Sequence, residues 1–362
     1  MMGLSMKVDG EKQLKRFYSL DGKLITYYEE EPLHGRYGDN FEIIQTIGKG
    51  AFGKVMLCKE KFTNNLYAMK VLRKALLTDE IDIETEIHIL RLTQHPFLIS
   101  LKRSFQTRQL LCFVMEFANG GDLFFHLVRE GQFSEDRSRF YAAEVILALS
   151  YLHSLGIIYR DLKTENIMLD IDGHVKIVDF GLSKQTIGNG QRTSTFCGTP
   201  EYMAPEILNH ERYGYSVDWW GVGMVLYEMI CGTLPFYNSN YDILITLIRF
   251  KPLDFPENVS ENANLLLTEL LIKEPSKRLG SGPGDGTDVK NHIFFDDINW
   301  DDVESKKVPP PFKPELIGPL DTRYFDSEFI REKTSFSFPT SNGGSYKYSL
   351  DSSFINFSEN EP

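Results

Sequence analysis

The sequence predicts an α+β fold in two lobes: a small strand-rich lobe over residues 41–118 and a larger helical lobe over 119–295, followed by a tail over 296–362. Three observations carry this. Short stretches at 41–47, 54–59, 66–71 and 110–116 alternate apolar and polar residues as half-buried strands do, and one helical stretch at 80–92 interrupts them. From Asp122 to Phe294 helical spacing dominates: Ser134 precedes Glu135 and Asp136, as an N-cap with an acidic first turn does, and apolar positions continue through Phe140, Val145, Leu149 and Leu152 until Gly156. After Phe295 the composition shifts to the stiff run Pro309-Pro310-Pro311-Phe312-Lys313-Pro314 and then to a serine-rich stretch, which reads as a tail wrapped over the lobes.

Residues 1–40 form an N-terminal extension with one hairpin signal, the turn pair Asp21-Gly22 between 16–20 and 23–28. The string resembles a central hairpin of a pleckstrin-homology domain, but forty residues are too few for that fold. A truncated remnant and a lobe-packed extension both stay open, and membrane lipid binding is not expected without a complete lipid-binding module. Near the other end, the run 280–286, Gly-Ser-Gly-Pro-Gly-Asp-Gly, reads as a surface loop before the last helix of the large lobe.

No apolar run approaches the roughly 18 residues of a membrane span, and residues 1–10 lack a secretory pattern, so a cytoplasmic or nuclear location is expected. Cys58, Cys112, Cys197 and Cys231 form no CxxC pair, which argues against a zinc site or disulfide framework. A net charge of −12 disfavours nucleic acid and favours basic peptides as partners.

Gly48, Gly50 and Gly53 lie between two predicted strands, where missing side chains let backbone approach phosphate oxygens. Because strand follows rather than helix, the pattern suits a hairpin flap over a nucleotide. Lys70 in an otherwise apolar strand suits the phosphates, with Glu86 chosen over Glu84 as the anion that fixes it. Ile47, Val55, Ala68 and Met168 are expected around the adenine, Met115 behind it, and Glu116 to Ala118 at its hydrogen-bonding edge.

The chemistry is concentrated in Tyr159-Arg160-Asp161-Leu162-Lys163-Thr164-Glu165-Asn166 and Asp179-Phe180-Gly181. Asp161 suits a proton acceptor, while Asn166 and Asp179 suit Mg2+, the set that phosphoryl transfer from ATP to a hydroxyl needs.

These strings, with Asn119-Gly120-Gly121-Asp122, Thr195-Phe196-Cys197-Gly198-Thr199-Pro200-Glu201 and Asp321-Thr322-Arg323-Tyr324-Phe325-Asp326, resemble the AGC group of serine/threonine kinases, most nearly its protein kinase B (Akt) and SGK branches. The resemblance implies a bilobal protein-kinase fold with an AGC C-terminal tail, and ATP and Mg2+ as cofactors. It implies that Lys163 contacts the moving phosphate, that Thr199 orients Asp161, that Phe325 reaches the nucleotide pocket, and that Glu206 and Arg278 form a buried structural pair. Asp122, Glu165 and Glu228 are expected to face substrate arginines in Arg-x-Arg-x-x-Ser/Thr contexts. Thr195, Ser337 and Ser358 are expected regulatory phosphorylation sites, with upstream kinases acting on Thr195 and Ser358, and with Arg160 and Lys184 meeting the Thr195 phosphate.

Two departures from the group stand out. Lys70 and Glu86 are closer in sequence than in relatives, and Asp82 stands where the group places a histidine, which predicts weaker coupling to Thr195 phosphorylation. Phe338 also separates Ser337 from Pro339, breaking the usual pair. A pseudokinase scaffold, a small-molecule kinase and a membrane-recruited adaptor are the competing readings; the intact Lys70, Glu86, Asp161, Asn166 and Asp179 disfavour the first.

Overall fold

The computed structural model describes residues 13–18, 24–29, 40–50, 53–74, 80–107, 110–185 and 192–331, with 13–18, 24–29 and 80–82 described by backbone alone. The N-terminal hairpin consists of β1 (Gln13–Tyr18) and β2 (Leu24–Glu29), antiparallel with Tyr18 opposite Leu24. Its predicted turn, Asp21-Gly22, lies outside the described residues.

The small lobe is an antiparallel five-stranded sheet. β3 (Phe41–Lys49), β4 (Gly53–Glu60) and β5 (Leu66–Arg73) are followed by helix α1 (Glu80–Leu92), then by β6 (Leu101–Gln106) and β7 (Leu110–Glu116), in sheet order β3-β4-β5-β7-β6. Alternation sorts the side chains: Met69, Val71, Cys112 and Val114 join Phe41, Met56, Cys58 and Phe105 in one cluster, while Leu72, Leu111 and Phe113 join Ile83 and Ile87 of α1 in another. The sequence reading missed β6. Its residues, Leu-Lys-Arg-Ser-Phe-Gln, are too polar to signal a strand, and it forms the sheet edge, burying only Ser104 and Phe105.

The large lobe begins with α2 (Leu123–Glu130) and α3 (Glu135–Ser154); Ser134 caps α3 by accepting the Arg137 N–H, and Gly156 lies just past its end at φ 76°. Short antiparallel pairs join β8 (Ile157–Ile158) to β11 (Lys184–Gln185) and β9 (Ile167–Leu169) to β10 (Val175–Ile177). Beyond them come α4 (Pro205–Leu208), α5 (Ser216–Cys231), α6 (Tyr241–Phe250), α7 (Glu261–Leu270) and α8 (Gly286–Lys290). Helix α5 is buried on all sides from Val217 to Ile230, so it forms the centre of the lobe rather than a flank. The pair Glu206–Arg278 is bidentate, 2.7 and 2.9 Å, and fully buried.

The run 280–286 departs from a plain surface loop. Gly280 packs on the Trp219 indole, and Asp285 turns inward to accept the Trp219 Nε1–H at 2.7 Å.

After α9 (Trp300–Glu304) the chain runs back along both lobes to α10 (Ser327–Ile330). Lys306 and Lys313 reach Asp170 and Asp172, and Phe312 sits between His126 and the Arg137 guanidinium. The strap can lie this close because Gly173, at φ 98°, leaves the Phe312 carbonyl the space a Cβ would take. Thr322 then accepts a hydrogen bond from Gln45 of β3 at 2.7 Å, tying the tail to the small lobe. Among the described residues, no helix is long and apolar enough to cross a membrane.

Candidate active site

Strand register assembles the small-lobe side of the site. Val55 pairs with Lys70, and Ala68 pairs with Met115, so Lys70 and Ala68 share one face two residues apart. Gly53 and Gly50 serve different ends. A Cβ at Gly53 would collide with the Val71 carbonyl, so sheet packing demands that glycine, whereas Gly50 faces open space at a tip closed by its N–H on the Gly53 carbonyl. Gly48 lies against Val55, and Ile47 beside it is buried.

Lys70 Nζ lies 2.7 Å from Glu86 Oε1 and 3.1 Å from Asp179 Oδ1. Burial opposes the lysine charge, but the two carboxylates outweigh it and raise the Lys70 pKa. Lys70 in turn holds the Asp179 carboxyl below its usual range, so Asp179 is ionised. Asp179 adopts φ 58°, and Gly181, two residues on, lies beneath both carboxylates: a Cβ there would sit 3.3 Å from Asp179 and 3.6 Å from Glu86.

The large lobe supplies the other side. Asp161 is 8% exposed, and both its oxygens are engaged: Oδ1 accepts from the Thr199 N–H (3.1 Å) and hydroxyl (3.0 Å), Oδ2 from Asn166 Nδ2 (2.9 Å). Lys163 Nζ stands 3.0 Å from Oδ2 and donates to Thr199 Oγ1 at 2.7 Å, closing a ring of Asp161, Thr199 and Lys163. Asn166 spends its Nδ2 on Asp161, which leaves Oδ1 as its hard oxygen donor, and the Asp179 carboxylate is half-exposed. These residues fit Mg2+. Among the described residues no cluster of three or more His, Cys, Asp or Glu side chains could hold a metal alone, so the remaining ligands would be phosphate and water.

The rim joins the two lobes. Glu116 lies at the end of β7, and its side chain is held by Lys176 (2.9 Å) and Ser100 (3.2 Å), so its carboxylate is already engaged. Ala118 is buried. Met168 of β9 bridges to Asp122, which sets it under the rim, and Phe325 of the tail stacks on Phe117 with ring centroids 5.9 Å apart.

Three carboxylates gather below. Asp122 caps α2 by accepting the Phe125 N–H at 2.7 Å; burial chiefly, with a push from Glu165, raises its pKa to about 6. Glu228 is buried, accepts from Thr164 (3.1 Å) and Tyr202 (2.5 Å), and is raised by burial against those bonds, again with Glu165 adding to the push. Glu165 is exposed between them in effect, since its charge acts on both. Asp122 is thus both a helix cap and a member of an acidic cluster.

Thr195 is exposed. Its hydroxyl lies 3.2 Å from that of the buried Thr193, which accepts from Lys184 at 3.0 Å, and its carbonyl accepts from Tyr213 at 2.7 Å. Arg160 reaches the Tyr213 hydroxyl at 3.3 Å and bonds the Leu182 carbonyl, so both cations stand one side chain away from Thr195. Ser337 and Ser358 lie outside the described residues, as does the Asp82 side chain.

Sequence reasoning missed Asp218. Its carboxylate accepts the backbone N–H groups of Tyr159 and Arg160, each at 2.8 Å, and so holds the loop that carries Asp161. An acid beside Trp219-Trp220, in a helix whose remaining residues are apolar apart from Ser216 and Glu228, was the available signal, since such a charge must be buried with partners. Tyr159 was named only as part of the loop, yet its ring is wholly buried and its hydroxyl donates to the Val178 carbonyl at 2.5 Å, next to Asp179.

Comparison with known proteins agrees with this geometry. The family model described as "Protein kinase domain" matches residues 41–295. The chain is 55% identical over 308 residues to a RAC serine/threonine-protein kinase of Drosophila melanogaster, covering 84% of this chain and 50% of that protein. It is 53% and 52% identical to the RAC-beta serine/threonine-protein kinases of Rattus norvegicus and Homo sapiens, covering 83% of this chain and 63% of each. The chain therefore spans between half and two thirds of the length of these relatives. With the match running through both lobes and every residue of the site lying inside it apart from Phe325 of the tail, the chain belongs to the protein kinase family.

Proposed function

We propose that this chain is a serine/threonine protein kinase that transfers the γ-phosphoryl group of ATP to Ser or Thr in proteins with arginines upstream, as Arg-x-Arg-x-x-Ser/Thr. The observation that carries the reading is the fixed carboxylate of Asp161, held by Thr199, Asn166 and Lys163, with Lys163 near enough for its charge to act on Asp179 of the Lys70–Glu86–Asp179 group. In this reading the substrate oxygen attacks the γ-phosphorus, the bond from that phosphorus to the bridging oxygen breaks, ADP leaves, and the hydroxyl proton passes to Asp161. Lys70 neutralises charge on the non-transferred phosphates and Lys163 on the moving one, so developing charge meets fixed cations. Bound Mg2+ would add the charge neutralisation that Asn166 and Asp179 are placed to hold.

The substrate class follows from the acidic cluster. Glu165 repels both Asp122 and Glu228, and a guanidinium relieves that repulsion while matching two carboxylate oxygens. Phosphorylation of Thr195 by an upstream kinase would bring a dianion toward Lys184 and Arg160 and order the loop before Asp161. Ser358, and Ser337 less directly, complete the proposed control sites, and Asp82 is proposed to weaken the link between the Thr195 phosphate and α1. A degenerate-peptide kinase assay on protein with and without phosphorylated Thr195 tests the reading. Selection of upstream arginines with higher turnover in the phosphorylated form is the expected result; transfer indifferent to arginine would refute the substrate class.

A further inference from the structure

A second buried cluster of titratable groups lies behind the catalytic loop. His153, near the C-terminal end of α3, is 5% exposed. Its Nε2 lies 2.9 Å from Asp218 Oδ2, and its Nδ1 lies 3.0 and 3.1 Å from the two carboxylate oxygens of Asp285. Both ring nitrogens face acceptors, which only the doubly protonated imidazolium satisfies. Beyond it, Asp218 holds the N–H groups of Tyr159 and Arg160, the two residues before Asp161. Arg160 sits at φ 73°, a left-handed conformation that costs a non-glycine residue about 1–2 kcal/mol, so its backbone needs an outside hold.

Asp285 ends this chain of charges. It lies among Gly280, Gly282, Gly284 and Gly286, and is itself at φ 45°. A turn of glycines needs no acid there, yet the carboxylate points into the lobe, where Trp219 Nε1 also donates to it. The strain is borne by a residue whose side chain has work inside.

We propose that Asp285 is a positioning residue for Asp161: through His153 it fixes Asp218 on the Tyr159 and Arg160 amides, and so sets the backbone that presents the base. This rests on the phosphoryl-transfer reading above. Without Asp285 the imidazolium keeps only one of its two carboxylates, so Asp218 faces a neutral, weaker partner over more of the pH range. Burial alone would lower the His153 pKa, but its hydrogen bonds to Asp218 and Asp285, with their charges, raise it to about 9. The groups facing the ring are Asp218 and Trp219 from α5, the Tyr215 ring stacked at 4.5 Å, and Asp285. Only the two carboxylates carry charge. The imidazolium is present below its pKa, so loss of Asp285 brings its deprotonation, and the alkaline fall of kcat, to lower pH.

Two variants of the full chain test this. Asp285→Gly adopts φ 45° without strain, and Asp285→Asn keeps an acceptor for Trp219 while losing the charge. In both, kcat is expected to fall by about 10-fold, short of the ~10²-fold of a 1 Å misplacement, with little change in KM for ATP or peptide. Hydrogen exchange at the Tyr159 and Arg160 amides is expected to accelerate, and the alkaline limb to move to lower pH. Wild-type kcat with unchanged exchange at those two amides in Asp285→Gly would overturn the proposal, whatever happens to the melting temperature. If the wild-type chain transfers no phosphate, the functional reading fails instead, and the exchange measurement still decides the role of Asp285.

Discussion

Replacing Glu228 by Gln tests the acidic cluster without disturbing its packing. Glutamine keeps an acceptor for Thr164 and Tyr202, which bond Glu228 at 3.1 and 2.5 Å, but removes the charge. Because Glu228 is 8% exposed, a guanidinium meeting it is shielded from water, and a charge-assisted hydrogen bond of that kind contributes about 1.5–3 kcal/mol. That corresponds to about 10- to 150-fold in kcat/KM. Glu165 is exposed, so its Gln variant is expected to lose less, about 5-fold at most, in line with about 1 kcal/mol for a solvated pair. The assay is a cycle: wild type and Glu228→Gln, each with an Arg-x-Arg-x-x-Ser peptide and with peptides in which either arginine is alanine. The loss is expected to vanish for the peptide lacking the arginine that Glu228 meets. An equal loss for all three peptides would show that Glu228 shapes the lobe rather than the substrate site, and the reasoning would fail.

Further expectations come from the same geometry. On the proposed arginine specificity, Asp122, raised to about 6, would meet a guanidinium as a carboxylate only above that pH, so KM for the arginine peptide should rise as pH falls through about 6 while that of an alanine peptide stays flat; steady-state kinetics at several pH values decide it. Arg278→Ala leaves Glu206 charged and alone in the core, which costs about 3–5 kcal/mol and lowers the melting temperature by roughly 10 °C; Arg278→Met combined with Glu206→Gln is expected to lose less, and a scan of both variants checks this. Gly173→Ala forces a side chain toward the Phe312 carbonyl at φ 98°, so the strap should lift, exposing 305–325 to limited proteolysis and raising KM for ATP as Phe325 leaves Phe117.

Most of the site was legible because its residues sit in short local strings whose chemistry constrains them together. Lys70 in an apolar strand and Asp161 near Asn166 declare themselves by type and spacing, and Ser134 announces α3 by its cap. β6 was hidden because an edge strand tolerates Lys102 and Arg103, which blur the alternation. Asp285 was hidden for another reason: it meets His153 across 132 residues, and only the folded lobe makes that pair. Asp122 shows that two readings of one residue need not compete, since one oxygen caps a helix while the same charge belongs to the acidic cluster.

The central claim is that Asp161, held by Thr199, Asn166 and Lys163, serves phosphoryl transfer from ATP to a hydroxyl. Its most direct measurement is single-turnover transfer of labelled γ-phosphate from Mg-ATP to an Arg-x-Arg-x-x-Ser peptide by the wild-type chain and by Asp161→Asn, at saturating ATP. The expected result is phosphoserine formed by the wild type and a rate at least about 10²-fold lower in Asp161→Asn, with ATP affinity unchanged. Transfer at the wild-type rate in Asp161→Asn, or no transfer by the wild type, would contradict it.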